Sequence, residues 1–203
     1  MARSPVKRAF DVLFASAGLL ITAPLWIAVP LAIKLDDRGP ILYGQQRSGL
    51  GGRAFTAWKF RSMAVDAERH GARQAVHGDP RVTRLGRALR ATAMDELPQL
   101  LNILRGDMSV VGPRALRPGE IEAGGSGRDE PLEAVPGFAT RAAVRPGLTG
   151  LAQIHARRDL PRRQKFRYDR LYIRRQSLWL DMRLVLQSLA ITIMGSWERR
   201  GIR

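Results

Sequence analysis

Asp95 and Glu96 stand side by side in the stretch MDELPQLLNILRGDMSVVGPR, residues 94–114, with Pro98 two places further on. Adjacent carboxylates in this setting admit two readings. In the first they only open a helix. Proline is favoured in a first turn, which places the helix start at Asp95 or Glu96 and its apolar face at Leu97, Leu100, Leu101 and Leu104. An aspartate at the N-cap and a further acid in turn one suit any helix start. In the second reading the same position does chemistry. A helix N-terminus favours negative charge and attracts phosphate, so both acids would stay ionised beside a phosphate ester. An ionised aspartate can attack phosphorus to give an aspartyl-phosphate. A neighbouring glutamate can hold Mg²⁺, which takes few protein ligands and fills its shell with phosphate oxygens and water. Spacing alone leaves both readings open.

Phosphate chemistry needs cations, and several are placed for it. In AFTAWKFR, residues 54–61, period-two alternation puts Phe55, Ala57, Lys59 and Arg61 on one strand face and Trp58 and Phe60 on the other. Lys59 and Arg61 together could hold phosphate; a solvated strand face reads equally well. Arg81, Arg84, Arg87 and Arg90 recur every three residues and form a cationic ridge if helical. That ridge leads directly to the two acids. After them, Gly112-Pro113 sets a turn from which Arg114 points outward. VRPGLTG, residues 144–150, is a second turn whose glycine amides and Arg145 could face phosphate or serve structure alone.

The elements that must position these groups follow from composition and pattern. The chain has 203 residues, enough for one domain with its own core. A net charge of +16, mostly arginine, demands a polyanionic partner: nucleic acid, an acidic membrane surface or a phosphorylated substrate. No nucleic-acid-binding motif is present, so no nucleic acid is expected. Cysteine is absent, which excludes disulfides and thiolate metal sites.

Val12 to Ile33 is an uncharged run long enough to reach across a bilayer core. Arg3, Lys7 and Arg8 before it resemble a signal-peptide start, but the run is long for one and Pro24 interrupts it. Lys7 and Arg8 precede the run and Lys34 and Arg38 follow it, so the positive-inside tendency holds both flanks on the cytoplasmic side. Pro24 breaks the helix near its midpoint, with Thr22 available to satisfy freed backbone, and Asp11 lies near enough to one end to reach the headgroups. A bent, re-entrant helix over residues 1–36 is favoured over a kinked span. Residues 37–203 would then form the catalytic domain at the cytoplasmic membrane interface.

Two apolar runs around Ser48–Gly52 predict a β-hairpin. Residues 64–80 read as a polar connection, and residues 117–138, rich in Gly, Pro and acids, as a mobile loop or lid. RRDLPRRQKFRYDRLYIRRQ, residues 157–176, predicts a basic amphipathic helix suited to anionic membrane lipids, with Tyr168 and Tyr172 along it. Asp169 within it is either an ion-pair partner or a ligand for substrate or metal. The last apolar stretch, interrupted by Asp181 and Arg183, predicts a helix on the core or at the membrane surface. The fold class is α+β, predominantly helical.

Taken in order, KRAFD, RGPILYGQQRSG, WKFRSM, DPRVTRLGRALR, MDELPQLLNILRGDMSVVGPR, VRPGLTGLAQ and YDRLYIRRQSLWLDMRLV resemble the bacterial sugar transferases, the monotopic phosphoglycosyl transferases, in their minimal catalytic form. The resemblance implies transfer of a phosphosugar from a UDP-sugar to polyprenol phosphate, with UMP released, at the cytoplasmic face of the bacterial inner membrane and with both termini cytoplasmic. It implies Asp95 as covalent nucleophile and Glu96 as its support, with Mg²⁺ held by Asp95 and Glu96. Lys59, Arg61, Arg90, Arg114, Arg145 and Asp169 are the expected substrate-binding residues; Lys7, Arg8 and Pro24 are expected to anchor the membrane helix. The sequence departs from the family pattern at Ala23 before Pro24, where a serine is usual, and at Ala115, Leu151 and His155-Ala156. The last two changes leave the sugar less defined than the reaction. The oligomeric state stays open, a homodimer included.

Overall fold

Pro24 divides the N-terminal apolar run into α1 (Pro5–Ile21) and α2 (Leu25–Asp37), which meet at a bend of 61°. Proline cannot donate to the preceding turn, and Thr22 compensates. Its hydroxyl donates to the Gly18 carbonyl at 2.7 Å and accepts from the Trp26 indole at 3.3 Å. Among the described residues no single helix is long and apolar enough to cross a membrane, although the bent pair together has the length and composition. The computed structural model describes residues 4–67, 79–122, 130–157, 160–194 and 197. Arg3, much of the 64–80 connection, the middle of the 117–138 segment and the start of the basic helical stretch lie outside them.

The expected hairpin is β1 (Leu42–Ser48) paired antiparallel with β2 (Ala54–Phe60). Then come α3 (Arg84–Ala91), a 3₁₀ turn at Met94–Glu96, and α4 (Gln99–Arg105). A short β3 (Ser109–Val111) follows. Past the two-residue strands β4 (Ile121–Glu122) and β5 (Glu130–Pro131) lies α5 (Phe138–Ala142). β6 (Gly147–Thr149) pairs in parallel with β3, and α6 (Leu151–His155), α7 (Arg162–Arg175) and α8 (Leu178–Ile193) close the chain.

One core gathers α1, α4, β3, α7 and α8 through Ala15, Leu100, Ile103, Val110, Tyr172 and Leu184. A second packs Val29 and Ile33 of α2 against Phe60 and Leu89. A third joins Leu116, Leu132, Val135 and Phe166. Segment 117–138 is therefore not loop throughout, because Leu132 and Val135 have apolar partners to bury against.

Charged residues of α1 turn inward where headgroup contact was expected. Lys7 lies 3.1 Å from Asp11 and 2.8 Å from Asp181, and all three are buried. Asp11 also accepts the Ser109 hydroxyl at 2.9 Å and the Val110 amide at 3.0 Å, and so holds β3. The Tyr172 hydroxyl sits within 3.0 Å of both Asp181 and the Val111 carbonyl. Arg8 donates to the carbonyls of Ile103 and Leu104, capping the C-terminal end of α4 where a cation is favoured. The physical reason is the same for each. A buried charge must find an opposite charge or a carbonyl, and β3, α4 and α8 supply them.

Candidate active site

Neither carboxylate caps a helix. Asp95 and Glu96 lie in the 3₁₀ turn ahead of α4, whose N-cap is Pro98, and no side chain accepts a capping bond at either start. The helix begins later than the sequence suggested because the turn enters from Ala93, held left-handed at φ 55°. Such a conformation costs an alanine about 1 kcal/mol. It is sustained by backbone bonds on both sides, Ala93 N–H to the Arg90 carbonyl and Glu96 N–H to the Ala93 carbonyl.

Lys59 reaches this turn from β2. Asn102 of α4 fixes the approach: its side-chain oxygen accepts the Trp58 amide at 3.1 Å and its nitrogen donates to the Thr56 carbonyl at 2.8 Å. The Lys59 ammonium is hydrogen-bonded to Glu96 Oε1 and lies 3.9 Å from Asp95 Oδ2. Arg114 comes within 3.7 Å of the same Glu96 oxygen. A small pocket, open to solvent, adjoins this group and is lined by Arg47, Lys59, Glu96, Gln99, Arg114 and Leu148 among others.

Arg114 is placed by a tight backbone crossing. β3 and β6 approach so closely at Gly112 and Gly147 that a Cβ on Gly147 would sit 2.0 Å from the Gly112 nitrogen. The Arg114 carbonyl then accepts a 2.6 Å bond from Arg141, whose Nε lies 3.1 Å from Asp169. Arg141 also lies over the Phe166 ring at 4.6 Å. Both partners of this ion pair are buried.

Burial drives the Asp95 carboxyl upward; Lys59 opposes this, Glu96 adds to it, and the result is about 6. Burial would raise Glu96 too, but Lys59, Arg114 and Arg47 outweigh it and hold Glu96 near 2. The pair thus keeps its last proton on Asp95.

Of the expected residues, the structure brings together Asp95, Glu96, Lys59 and Arg114, with Arg90 near enough to lower the Asp95 pKa. Three are engaged elsewhere. Arg61 grips both oxygens of Asp37 at the end of α2. Arg145 donates to the Gly106 carbonyl at 2.8 Å, and Asp169 is taken by Arg141. Arg47 and Arg141 escaped the sequence reading. The hairpin register was the available signal for Arg47: it pairs with Phe55, on the face that Lys59 shares.

A family model described as bacterial sugar transferase matches residues 2–195. The chain is 46% identical over 191 residues to the undecaprenyl-phosphate glucose phosphotransferase of Komagataeibacter xylinus, covering 90% of this chain and 35% of that protein. It is 45% identical to the exopolysaccharide production protein PSS of Rhizobium leguminosarum bv. phaseoli, covering 89% of this chain and 91% of that protein. Identity is 44% to the UDP-glucose:undecaprenyl-phosphate glucose-1-phosphate transferase of Caulobacter vibrioides, over 90% of this chain and 68% of that protein. The chain therefore spans about a third of the Komagataeibacter relative and nearly all of the Rhizobium one.

Proposed function

The chain belongs to the bacterial sugar transferase family, and on that premise we propose that it is a phosphoglycosyl transferase working through an aspartyl-phosphosugar. A carboxylate oxygen of Asp95 attacks the β-phosphorus of a UDP-sugar. The bond from that phosphorus to the bridging oxygen breaks, and the electron pair leaves with UMP. An oxygen of polyprenol phosphate then attacks the same phosphorus, breaks the acyl-phosphate bond and regenerates the Asp95 carboxylate. Both steps press anions together, so preorganised cations supply most of the catalysis. The observation that carries this reading is the Lys59 ammonium held between Asp95 and Glu96 beside a cation-lined cavity.

The donor set suits Mg²⁺. Lys59 and Arg114 both meet Glu96 at Oε1, which leaves Oε2 for a metal, and two hard carboxylates plus substrate oxygens are a usual Mg²⁺ shell. Asp95 and Glu96 would hold the ion, which when bound supplies further neutralisation of phosphate charge.

The apolar surface supports a seat on the membrane. Leu13, Leu20 and Ile21 of α1, Ile27, Leu31 and Leu35 of α2, and Trp179, Leu186 and Ile193 of α8 are all exposed, and large exposed apolar residues in such number mark surfaces that meet a membrane or a partner. The 17 residues of α1 are about 25 Å long. A 61° bend shared equally between both arms slopes each about 30° to the bilayer plane. The 13 residues of α2, about 20 Å long at that slope, put the apex about 10 Å deep, within one leaflet of a ~30 Å core. That depth supports the re-entrant reading, in which both flanks lie on the cytoplasmic face of the inner membrane. The chain has no cysteine, so Ser4→Cys and Asp36→Cys give unique labels. An impermeant maleimide should modify both in inverted vesicles and neither in intact cells; labelling from opposite sides would establish a span instead.

Purified protein with Mg²⁺ and undecaprenyl phosphate should release UMP from a UDP-sugar, with UDP-glucose the first donor to try, given the names of the relatives. Failure across a panel of UDP-sugars would end the transferase reading.

A further inference from the structure

Among the described residues, Arg47 is a half-buried cation hydrogen-bonded only to neutral groups. On β1 it pairs with Phe55, so it shares a sheet face with Lys59, whose own partner is Tyr43. Its guanidinium donates to the Ala115 carbonyl at 3.0 Å and to the Gln45 side-chain oxygen, both neutral. Among the described residues no carboxylate lies within ion-pair distance of it. Charges of both signs act on it, the two arginines more strongly than the two acids. Burial first, then Arg114 and Arg117, push it down to about 10, with Glu120 and Glu96 opposing more weakly.

A desolvated cation beside like charges is costly. A guanidinium has five N–H donors in a rigid fork shaped for phosphate, and these contacts occupy only some of them. The arrangement makes sense when an anion completes it, and the cavity says where. Arg47, Arg114 and Lys59 line one space. Along the hairpin the Lys59 and Arg47 rungs are four residues apart, about 13 Å of backbone, so the two side chains reach that space from separate rungs. Lys59 lies against Asp95 and Glu96, where the attacking oxygen originates. In-line displacement puts the leaving oxygen opposite the attacking one, on the Arg47 side.

We propose, building on the transferase reading, that Arg47 binds the phosphate of the departing nucleotide. As the bridging P–O bond breaks, its electron pair adds one negative charge to the UMP phosphate, and the free N–H groups of Arg47 meet that charge. The recognised chemistry is a phosphate, which polyprenol phosphate also carries, so the test must separate the two.

The full-length protein in detergent is titrated with UMP and, separately, with farnesyl phosphate, following thermal unfolding. UMP should raise the wild-type Tm in proportion to its binding. Arg47→Gln should weaken UMP binding at least about tenfold, the loss expected for charge-assisted bonds, while leaving the farnesyl phosphate response intact. Its ligand-free Tm should not fall, because removing Arg47 relieves repulsion from Arg114 and Arg117; a purely structural arginine would behave in the opposite way. Arg47→Lys keeps the charge without the fork and should weaken UMP binding at least about threefold, which decides the matter should Arg47→Gln fail to fold. Unchanged UMP affinity, loss of the farnesyl phosphate response, or no UMP effect on the wild type would each overturn the assignment. Binding of UMP through Arg47 in a protein that transfers no sugar phosphate would instead sink the transferase reading and leave this one standing.

Discussion

Asp95→Asn is expected to abolish UMP release from a UDP-sugar, a loss of about 10³-fold or more, since a covalent route disappears with its nucleophile. The amide is nearly isosteric, so Lys59 and Glu96 keep their contact and the cavity keeps its shape. Incubating wild-type protein with a β-³²P-labelled UDP-sugar in the absence of acceptor should leave one label per chain on Asp95, and the variant should carry none. Glu96→Gln separates the two acids. It leaves the nucleophile but removes the carboxylate that holds Lys59 and faces Arg114 at 3.7 Å. That variant should still be labelled, with slower turnover. Full activity in Asp95→Asn, or a label on any other residue, would refute the nucleophile assignment.

The features legible in the sequence were those written in local chemistry. Three glycines between Gly49 and Gly52 announced the hairpin turn, period two put Lys59 on its face, and Pro24 marked the bend. Illegible were pairings between distant segments. Arg61 shares the alternation of Lys59, but Asp37, 24 residues upstream, claims it. Lys7 and Asp11 read as membrane-flanking charges until Asp181 of α8 is seen beside them. Arg141 carries no local signal whatever, since its partners Arg114 and Asp169 are 27 and 28 residues away on different elements. Arg47 is the intermediate case. The hairpin was foreseen but its register was not carried through, and register alone transfers a residue from one face to the other.

Scaffold and site are tied together at β3. The strand that leads into Gly112-Pro113-Arg114 is gripped by Asp11 from α1 and by Tyr172 from α7. The helix proposed to enter the membrane is thus bonded directly to the backbone that delivers Arg114 to Glu96. Placement of the domain at the bilayer and placement of its arginine are one structural problem, solved by one buried network.

Lys59→Met should be the second most damaging change, and its pH profile should distinguish it from simple disruption. Lys59 is in contact with both carboxylates. Without it, the buried Asp95 and the half-buried Glu96 face Arg114 at 3.7 Å from Glu96 and Arg90 beyond, and the pair should hold a proton to higher pH. In the metal-free wild type the ionised Asp95 accumulates as pH rises through about 6, and bound Mg²⁺ would favour the ionised form further, so kcat/KM should climb at or below that pH. In Lys59→Met that limb should move up by a unit or more, with activity at pH 7 down roughly 10²-fold and partly regained above pH 8. Stability runs the other way. A carboxyl whose folded pKa exceeds its unfolded value of 3.8 favours the fold while protonated. That contribution is whole below about pH 4 and is lost as pH rises through about 6, on the order of 3 kcal/mol. Glu96, held near 2, contributes in the opposite sense: its share is present above pH 4.5 and is lost on acidification towards 2. Urea midpoints of metal-free protein in chelator should therefore show Asp95→Asn gaining on wild type between pH 4 and pH 7. A parallel pair of curves across that window would mean that Asp95 is ionised throughout, and a Lys59→Met profile lowered without displacement would mean that Lys59 does not set its charge.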